Sequence, residues 1–493
     1  MRKAGILLPI TSLESKYGIG CFSKAAYDFV NKLCLAGQSY WQILPIGHTG
    51  FGDSPYQSFS SFAGNPYMIS LEALIDDGLL TVDECDSVDF GDNETRIDYE
   101  KIYKNRYPLL KKAYERYSKD DEYNSFETKN AYWLDDYSLF MALKEYFLQK
   151  PFYEWEKSIR LREQNAMKEY KQKLFYEIEF WKFVQYKFYS QYYKLKEYAN
   201  EKGIKIIGDI PIYTAQDSAD VWANPKLFQL DENLFPQFVA GCPPDGFSPE
   251  GQLWGNPLYK WEKHSLDGYK WWIERLRHSF LMYDVLRIDH FRGFDEYYSI
   301  KYGAKNAVCG EWKKGPGLSL FVAMEKALGK KNVIAEDLGF ITNSVKKLVK
   351  DTGYMGMKVI EFAFDRNDTG DANDYLPHNY IKNCVVYTGT HDNPTISSWF
   401  SQISQDEKTI VRNYLCDYYT PDKKMYLPLI CLALQSPADL CIIPMQDWLG
   451  LGDNARINTP STLGNNWVWR LRENEFSYEK AKEISTITKR YGR

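Results

Sequence analysis

Three stretches of the chain run from apolar residues directly into a carboxylate: VLRIDHF from Val285, KNVIAEDLG from Lys331 and TGTHDN from Thr388. Side chains alternate along a strand, so Val285, Arg287 and Asp289 share one face while Leu286 and Ile288 share the other. If the first face lines an interior, Asp289 needs a cation to stay ionised, and Arg287 two residues back can supply it. Such a carboxylate is a candidate nucleophile; the alternative is an Arg/Asp pair that only ties strands together. Glu336 shares a face with Ile334, opposite Asp337, and Gly339 follows where the chain can turn. A glutamate in a partly apolar site beside an ionised aspartate holds its proton more tightly, which suits a general acid at neutral pH. His391 and Asp392 alternate at a third strand end, where both can reach a ligand. Each pattern alone is weak, and a lone His-Asp at a strand end is more often a cap or core pair. Three carboxylates at three strand ends are harder to dismiss.

Retaining glycoside chemistry uses such a set. One carboxylate attacks the anomeric carbon and one acid protonates the leaving oxygen, the two being about 5 to 5.5 Å apart. A third can bond sugar hydroxyls as the ring distorts. Other chemistries have less support: the chain has only six histidines and contains no H-E-x-x-H, G-x-S-x-G, GxGxxG or Walker loop. No metal and no cofactor are expected.

These residues need a frame that brings strand ends together. Eight short apolar runs read as buried strands: GILLPI (from Gly5), YWQILPI (from Tyr40), IKIIGDIPIY (from Ile204), YDVLRIDHFRG (from Tyr283), KNVIAEDLG, MKVIEFAFD (from Met357), CVVYTGTHDN (from Cys384) and LCIIPMQD (from Leu440). Helical stretches such as SLDGYKWWIERLRHSFLMY and NSVKKLVKDTG lie between them. This alternation predicts an α/β fold, a (β/α)8 TIM barrel with its site at the strands' C-terminal ends. Residues 1–493 read as one barrel with inserted subdomains: about 65–200 as a mainly helical insert between the second and third strands, and about 214–280 as a loop-rich insert between the third and fourth. In the helical insert, Trp181, Val184, Phe188, Tyr192 and Leu195 recur at helical spacing and predict a packing stripe. The loop-rich insert, with Trp254, Phe247 and several prolines, is expected to cover the site.

The 61 basic and 66 acidic residues leave a net charge of −5, with no footprint for nucleic acid or an anionic membrane. No apolar run reaches membrane-spanning length. Nine scattered cysteines form no CxxC pair, so reduced thiols and a cytoplasmic location are expected. Oligomeric state is not legible.

The ordered motifs SPYQSFSSFAGNP, GDIPIY, PPDGFSPEGQLWGNPLY, RIDHFRGF, IAEDLG, GMKVIEFAF, GTHDN and NTPSTLGNNWVWR resemble, nearly end to end, the amylomaltase or disproportionating-enzyme family, the 4-alpha-glucanotransferases of the alpha-amylase clan. The resemblance implies retaining transfer of alpha-1,4-glucan segments from maltooligosaccharides, starch or glycogen-derived glucans, with glucose as an acceptor. Carried over by position, it implies Asp289 as nucleophile, Glu336 as acid/base and Asp392 as transition-state stabiliser. Arg287, His290 and His391 become supports around them, Asp209 and Tyr56 donor-sugar contacts, Trp254 part of the acceptor cover, and Asn458 a rim residue. A hydrolase of the same clan would share the carboxylates, and a sugar-binding protein on the same barrel would not need a buried proton donor. The aromatic cover over the acceptor side favours transfer, because it disfavours bulk water while a sugar can still stack.

Overall fold

The period-2 alternation of the eight apolar runs resolves into two packed surfaces. Leu7, Ile207, Val285, Ile334, Met357, Val385, Leu440 and Ile442 form one cluster. Their chain neighbours Ile6, Ile206, Leu286, Val333, Val386 and Cys441 belong to the larger core outside it. Two surfaces on one set of strands are what a closed sheet inside a helical shell requires.

The computed structural model describes residues 2–50, 52–244, 248–339, 341–364 and 373–493. Its strands are β1 (Lys3–Leu7), β2 (Tyr40–Gln42), β3 (Lys205–Ile210), β4 (Phe238–Cys242), β5 (Gln252–Pro257), β6 (Val285–Ile288), β7 (Glu296–Lys301), β8 (Gly310–Lys314), β9 (Val333–Ala335), β10 (Met355–Val359), β11 (Cys384–Tyr387) and β12 (Leu440–Pro444). Eight of them close a barrel in the order β1-β12-β11-β10-β9-β6-β3-β2, every pair parallel. The fold is a (β/α)8 TIM barrel, and its strands fall within the eight apolar runs, except that β1 and β10 each start two residues before theirs.

Between β2 and β3 the long helices Tyr99–Arg116, Asp121–Tyr146 and Phe175–Glu201 pack together. In the last of these Trp181, Val184, Phe188, Tyr192 and Leu195 are all buried, each worth roughly 1.5–3 kcal/mol for its side chain. The stripe is packing, as its spacing predicts.

The stretch from 214 to 280 departs from its loop-rich reading. It contains β4, β5 and the helices Ala219–Ala223, Trp261–Leu266 and Lys270–Met282. β4 and β5 join β7 and β8, which lie beyond β6 in sequence, in an antiparallel sheet of order β5-β4-β7-β8. The sheet escapes a sequence reading because β5, QLWGNP, carries Gly, Asn and Pro, residues depleted in strands. Its register with β4 also shifts between Val239 and Gly241. Among the described residues no helix is long and apolar enough to cross a membrane.

Candidate active site

The ladder β3-β6-β9 lays out the site. Asp209 lies opposite Arg287, and Arg287 opposite Ile334. Just past the strand ends the Glu336 N–H donates to the Ile288 carbonyl at 3.1 Å, and the Phe291 N–H donates to the Glu336 carbonyl at 3.0 Å. Asp289 and Glu336 therefore leave adjacent parallel strands at the same level. Neighbouring strands are ~4.8 Å apart, the scale of the ~5–5.5 Å that a retaining carboxylate pair needs.

A second link ties the two together. His290 adopts a left-handed backbone, φ 49° and ψ 48°, uncommon outside glycine but more tolerated by histidine than by bulky or branched residues. That turn aims its N–H at Glu336 Oε2, 2.7 Å away, while the Leu338 N–H donates to Oε1 at 2.9 Å. The His290 ring meets Trp254 edge-on with centroids 4.8 Å apart, and burial pushes its pKa down to about 4, so it is neutral.

Arg287 is buried and lies 2.6 Å from Asp209 Oδ2 and 3.0 Å from Asp289 Oδ1. Burial opposes its charge, but Asp209 and Asp289 outweigh burial and hold it protonated. The Tyr56 hydroxyl donates to the same Asp209 oxygen at 2.8 Å. Asp209, expected at the donor sugar, is only 1% exposed, and Arg287 and Tyr56 both contact its Oδ2. Tyr56 presents its ring: it stacks on His391 with centroids 5.2 Å apart and planes within 14°, and Trp467 lies 5.9 Å from both.

Asp392 has 44% of its side chain exposed, against 29% for Asp289. The Asn458 amide donates to its Oδ1 at 2.6 Å, Arg456 donates to its main-chain carbonyl at 2.7 Å, and His391 Nε2 lies 3.4 Å from its other oxygen. Asn458, from the far end of the sequence, thus contacts a carboxylate directly. Arg456 and Trp467 were missed: both lie in or beside the NTPSTLGNNWVWR motif, but the sequence does not tell which of its side chains turns inward.

Burial raises the pKa of Glu336, with Arg287 and the two backbone N–H donors pulling the other way. Burial also raises Asp289, which Arg287 lowers and Asp209, Glu336 and Asp392 push further up. Asp289 and Glu336 are thus both held above the ordinary carboxylate range, with Arg287 opposing the rise at each. A separate cavity behind β3, lined by Thr214, Arg275 and His278 among others, shares Tyr56 and Asp209 with this site but none of the three carboxylates. Phe247 lies outside the described residues. Among the described residues no cluster of three or more His, Cys, Asp or Glu could hold a metal ion.

The structure of an amylomaltase from Streptococcus agalactiae in complex with acarbose superposes with a TM-score of 0.97 at 40% identity, covering 100% of both chains. An amylomaltase from Corynebacterium glutamicum shares the fold at a TM-score of 0.78 and 17% identity, over 99% of this chain and 75% of that one. The 4-alpha-glucanotransferase of Clostridium butyricum is 49% identical over 98% of this chain and 99% of its own length, and that of Thermus thermophilus 42% identical over 99% and 98%. A family model described as 4-alpha-glucanotransferase matches residues 8–475, and with relatives this similar over nearly their whole length the chain belongs to the 4-alpha-glucanotransferase family, as an enzyme of alpha-glucan transfer.

Proposed function

We propose that transfer proceeds by double displacement, with Asp289 as nucleophile, Glu336 as acid/base and Asp392 as stabiliser of the distorted sugar. The observation that carries this reading is the pinning of Asp289 and Glu336 to one level of two neighbouring strands, with His290 N–H bonded to the Glu336 carboxyl. Burial lifts Asp289 strongly and would by itself leave a proton there. Direct contact reverses that order. Arg287 is 3.0 Å from Asp289, whereas Glu336 forms no ion pair among the described residues, so Asp289 is the ionised partner and Glu336 the protonated one.

In the first step an Asp289 oxygen forms a bond to the anomeric carbon as the glycosidic C–O bond breaks, and the Glu336 proton passes to the leaving oxygen. In the second, Glu336 takes the proton of an acceptor hydroxyl, whose oxygen bonds to the anomeric carbon as the ester to Asp289 breaks. Two inversions retain the configuration. Asp392, open to the cleft and held by Asn458, bonds the hydroxyls of the ring while it is distorted.

The donors are maltooligosaccharides and the glucans of starch or glycogen, and glucose serves as an acceptor. Tyr56 and Trp254 supply ring faces on either side of the carboxylates, with His290 and His391 backing them. Asp209 acts through Arg287 and Tyr56. All nine cysteines are free thiols, which supports a reducing, cytoplasmic location. Incubation with maltotriose tests the reading: transfer yields glucose and a ladder of longer chains with no net gain in reducing ends. Short sugars with a matching gain in reducing ends would mean a hydrolase instead, and no change a binding protein.

A further inference from the structure

A further acid at the barrel mouth takes no part in these steps. Glu361 follows β10 in the single-turn helix Ile360–Phe364, is 7% exposed, and its Oε1 is buried without a hydrogen-bond partner. Above it runs the turn that links β11 to Asp392. The carboxyl lies against that turn: a Cβ added to Gly389 would sit 2.8 Å from Glu361 Oε1. The Asn393 side chain flanks the same point, its Cβ lying 3.1 Å from that added Cβ, and it pulls the Glu361 pKa down. The carbonyl oxygen of the same amide accepts from the Thr390 N–H at 3.0 Å and the Thr390 hydroxyl at 2.8 Å. The Thr390 hydroxyl in turn accepts the Asp392 N–H at 3.3 Å. A chain of contacts thus runs from Glu361 to the backbone of the residue proposed to stabilise the transition state.

We propose that Glu361 is a positioning residue for transfer, packed uncharged beneath the turn 388–393 and fixing, through Asn393 and Thr390, where the Asp392 carboxylate meets the sugar. This rests on the role given to Asp392 above. An ionised carboxylate is costly with one oxygen buried and unbonded, whereas a neutral acid tolerates it better. The charged groups facing it point the same way. Asp447, 1% exposed, packs under the same turn, its two oxygens accepting from the Thr388 hydroxyl and the Ile396 N–H; burial pushes its own pKa up to about 7, and both it and Asp453 push the Glu361 pKa up. Among the described residues, Arg456 is a cation that acts on it, and it is engaged with the carbonyls of Asp392 and Asn458. Burial, then Asp447, raises the Glu361 pKa well above its ordinary 4.5.

The test compares Glu361→Gln and Glu361→Ala in the full chain on maltotriose, with Asp392→Asn as control. Glu361→Ala removes the support and should lower kcat at least roughly 30-fold while KM changes less than about threefold, because ground-state binding does not depend on the Asp392 position. Glu361→Gln, neutral and of the same shape, should recover most of that loss. In the alanine background Asn393→Ala should cost little more, since both act through one path. A glutamine variant as impaired as the alanine one, or an alanine variant with unchanged kcat, overturns the proposal. If Asp392→Asn itself leaves kcat intact, it is the reading of Asp392 that falls.

A measurement independent of activity covers the case in which the alanine variant does not fold. An acid that folding keeps protonated contributes stability that is full below its unfolded pKa and is lost as pH rises toward the folded one. Glutamine has no proton to lose, so the Tm of Glu361→Gln relative to the parent should rise between about pH 5 and about pH 8. A difference that stays flat or falls over that range overturns the uncharged state.

Discussion

The barrel mouth and the four-stranded sheet beside it position their residues by different means. At the mouth, Asp289 and Glu336 are fixed by main-chain bonds across β3, β6 and β9, a ladder with no free edge. In the sheet β5-β4-β7-β8, Trp254 sits on the edge strand β5, held by ring contacts to His290 and Tyr213 and by its own Nε1–H to Gln252 Oε1 at 3.1 Å. A closed ladder fixes the reacting atoms to the tolerance that covalent chemistry needs. An edge strand can give, which an acceptor site for chains of different length can use. Substitutions at the mouth should therefore abolish reaction, while those in the sheet should redirect it.

The largest effect is expected at Asp289. Asp289→Asn keeps the shape and the Arg287 contact but cannot form the glycosyl ester, so we predict a fall in transfer of at least roughly 10³-fold, about 4 kcal/mol, with folding retained. A folded variant that keeps more than about a tenth of the activity would place the nucleophile elsewhere.

Next is Glu336→Gln. It should be nearly inert on maltooligosaccharides yet still glycosylate Asp289 from a glycosyl fluoride, whose leaving group needs no proton. Equal loss on both donors would remove Glu336 as the acid. The parent enzyme's pH profile bears on the same point. With the Glu336 pKa raised by burial, the acid form persists above the usual carboxylate range, and kcat/KM should decline on the alkaline side as that proton is lost. Glu336→Gln should lack that limb with the fluoride donor.

Asn458→Ala should have an intermediate effect. It deletes the amide bonded to Asp392 Oδ1, and a hydrogen bond to a charged group is worth about 1.5–3 kcal/mol, or roughly ten- to a hundredfold in kcat. A change in KM alone would mean that Asn458 only touches the sugar.

The smallest change in total rate, and the one that tests the comparison, is Trp254→Ala. Water and acceptor compete for the glycosylated Asp289, and a sugar wins only if it is held ready to attack. We predict that transfer falls several-fold more than hydrolysis, read as the ratio of new reducing ends to transferred glucose at matched conversion. If both rates fall together and the ratio stays at the parent value, the sheet is scaffold and acceptor binding lies elsewhere.

What the sequence by itself determined is local and periodic. The apolar runs read as eight strands because a buried parallel strand needs apolar residues on both faces. Arg287 and Asp289 share one face, and Glu336 lies opposite Asp337, because side-chain alternation is a covalent property of an extended chain. The Asp337 carboxylate indeed turns away, accepting from the Met357 N–H at 2.7 Å. The tertiary structure alone decided how strands distant in sequence register. It set Asp209 beneath Arg287 rather than at the surface, made the His290 turn a donor to Glu336, and brought Asn458 and Arg456 onto Asp392 from 66 and 64 residues away. It also joined β4 and β5 to β7 and β8 across the strand that leads to Asp289. Glu361 belongs with these. In MKVIEFAFD it reads as one more acid after a strand, and only the closing of the barrel puts Gly389, Asn393 and Asp447 around it, because those contacts depend on which strand ends meet and not on any spacing along the chain.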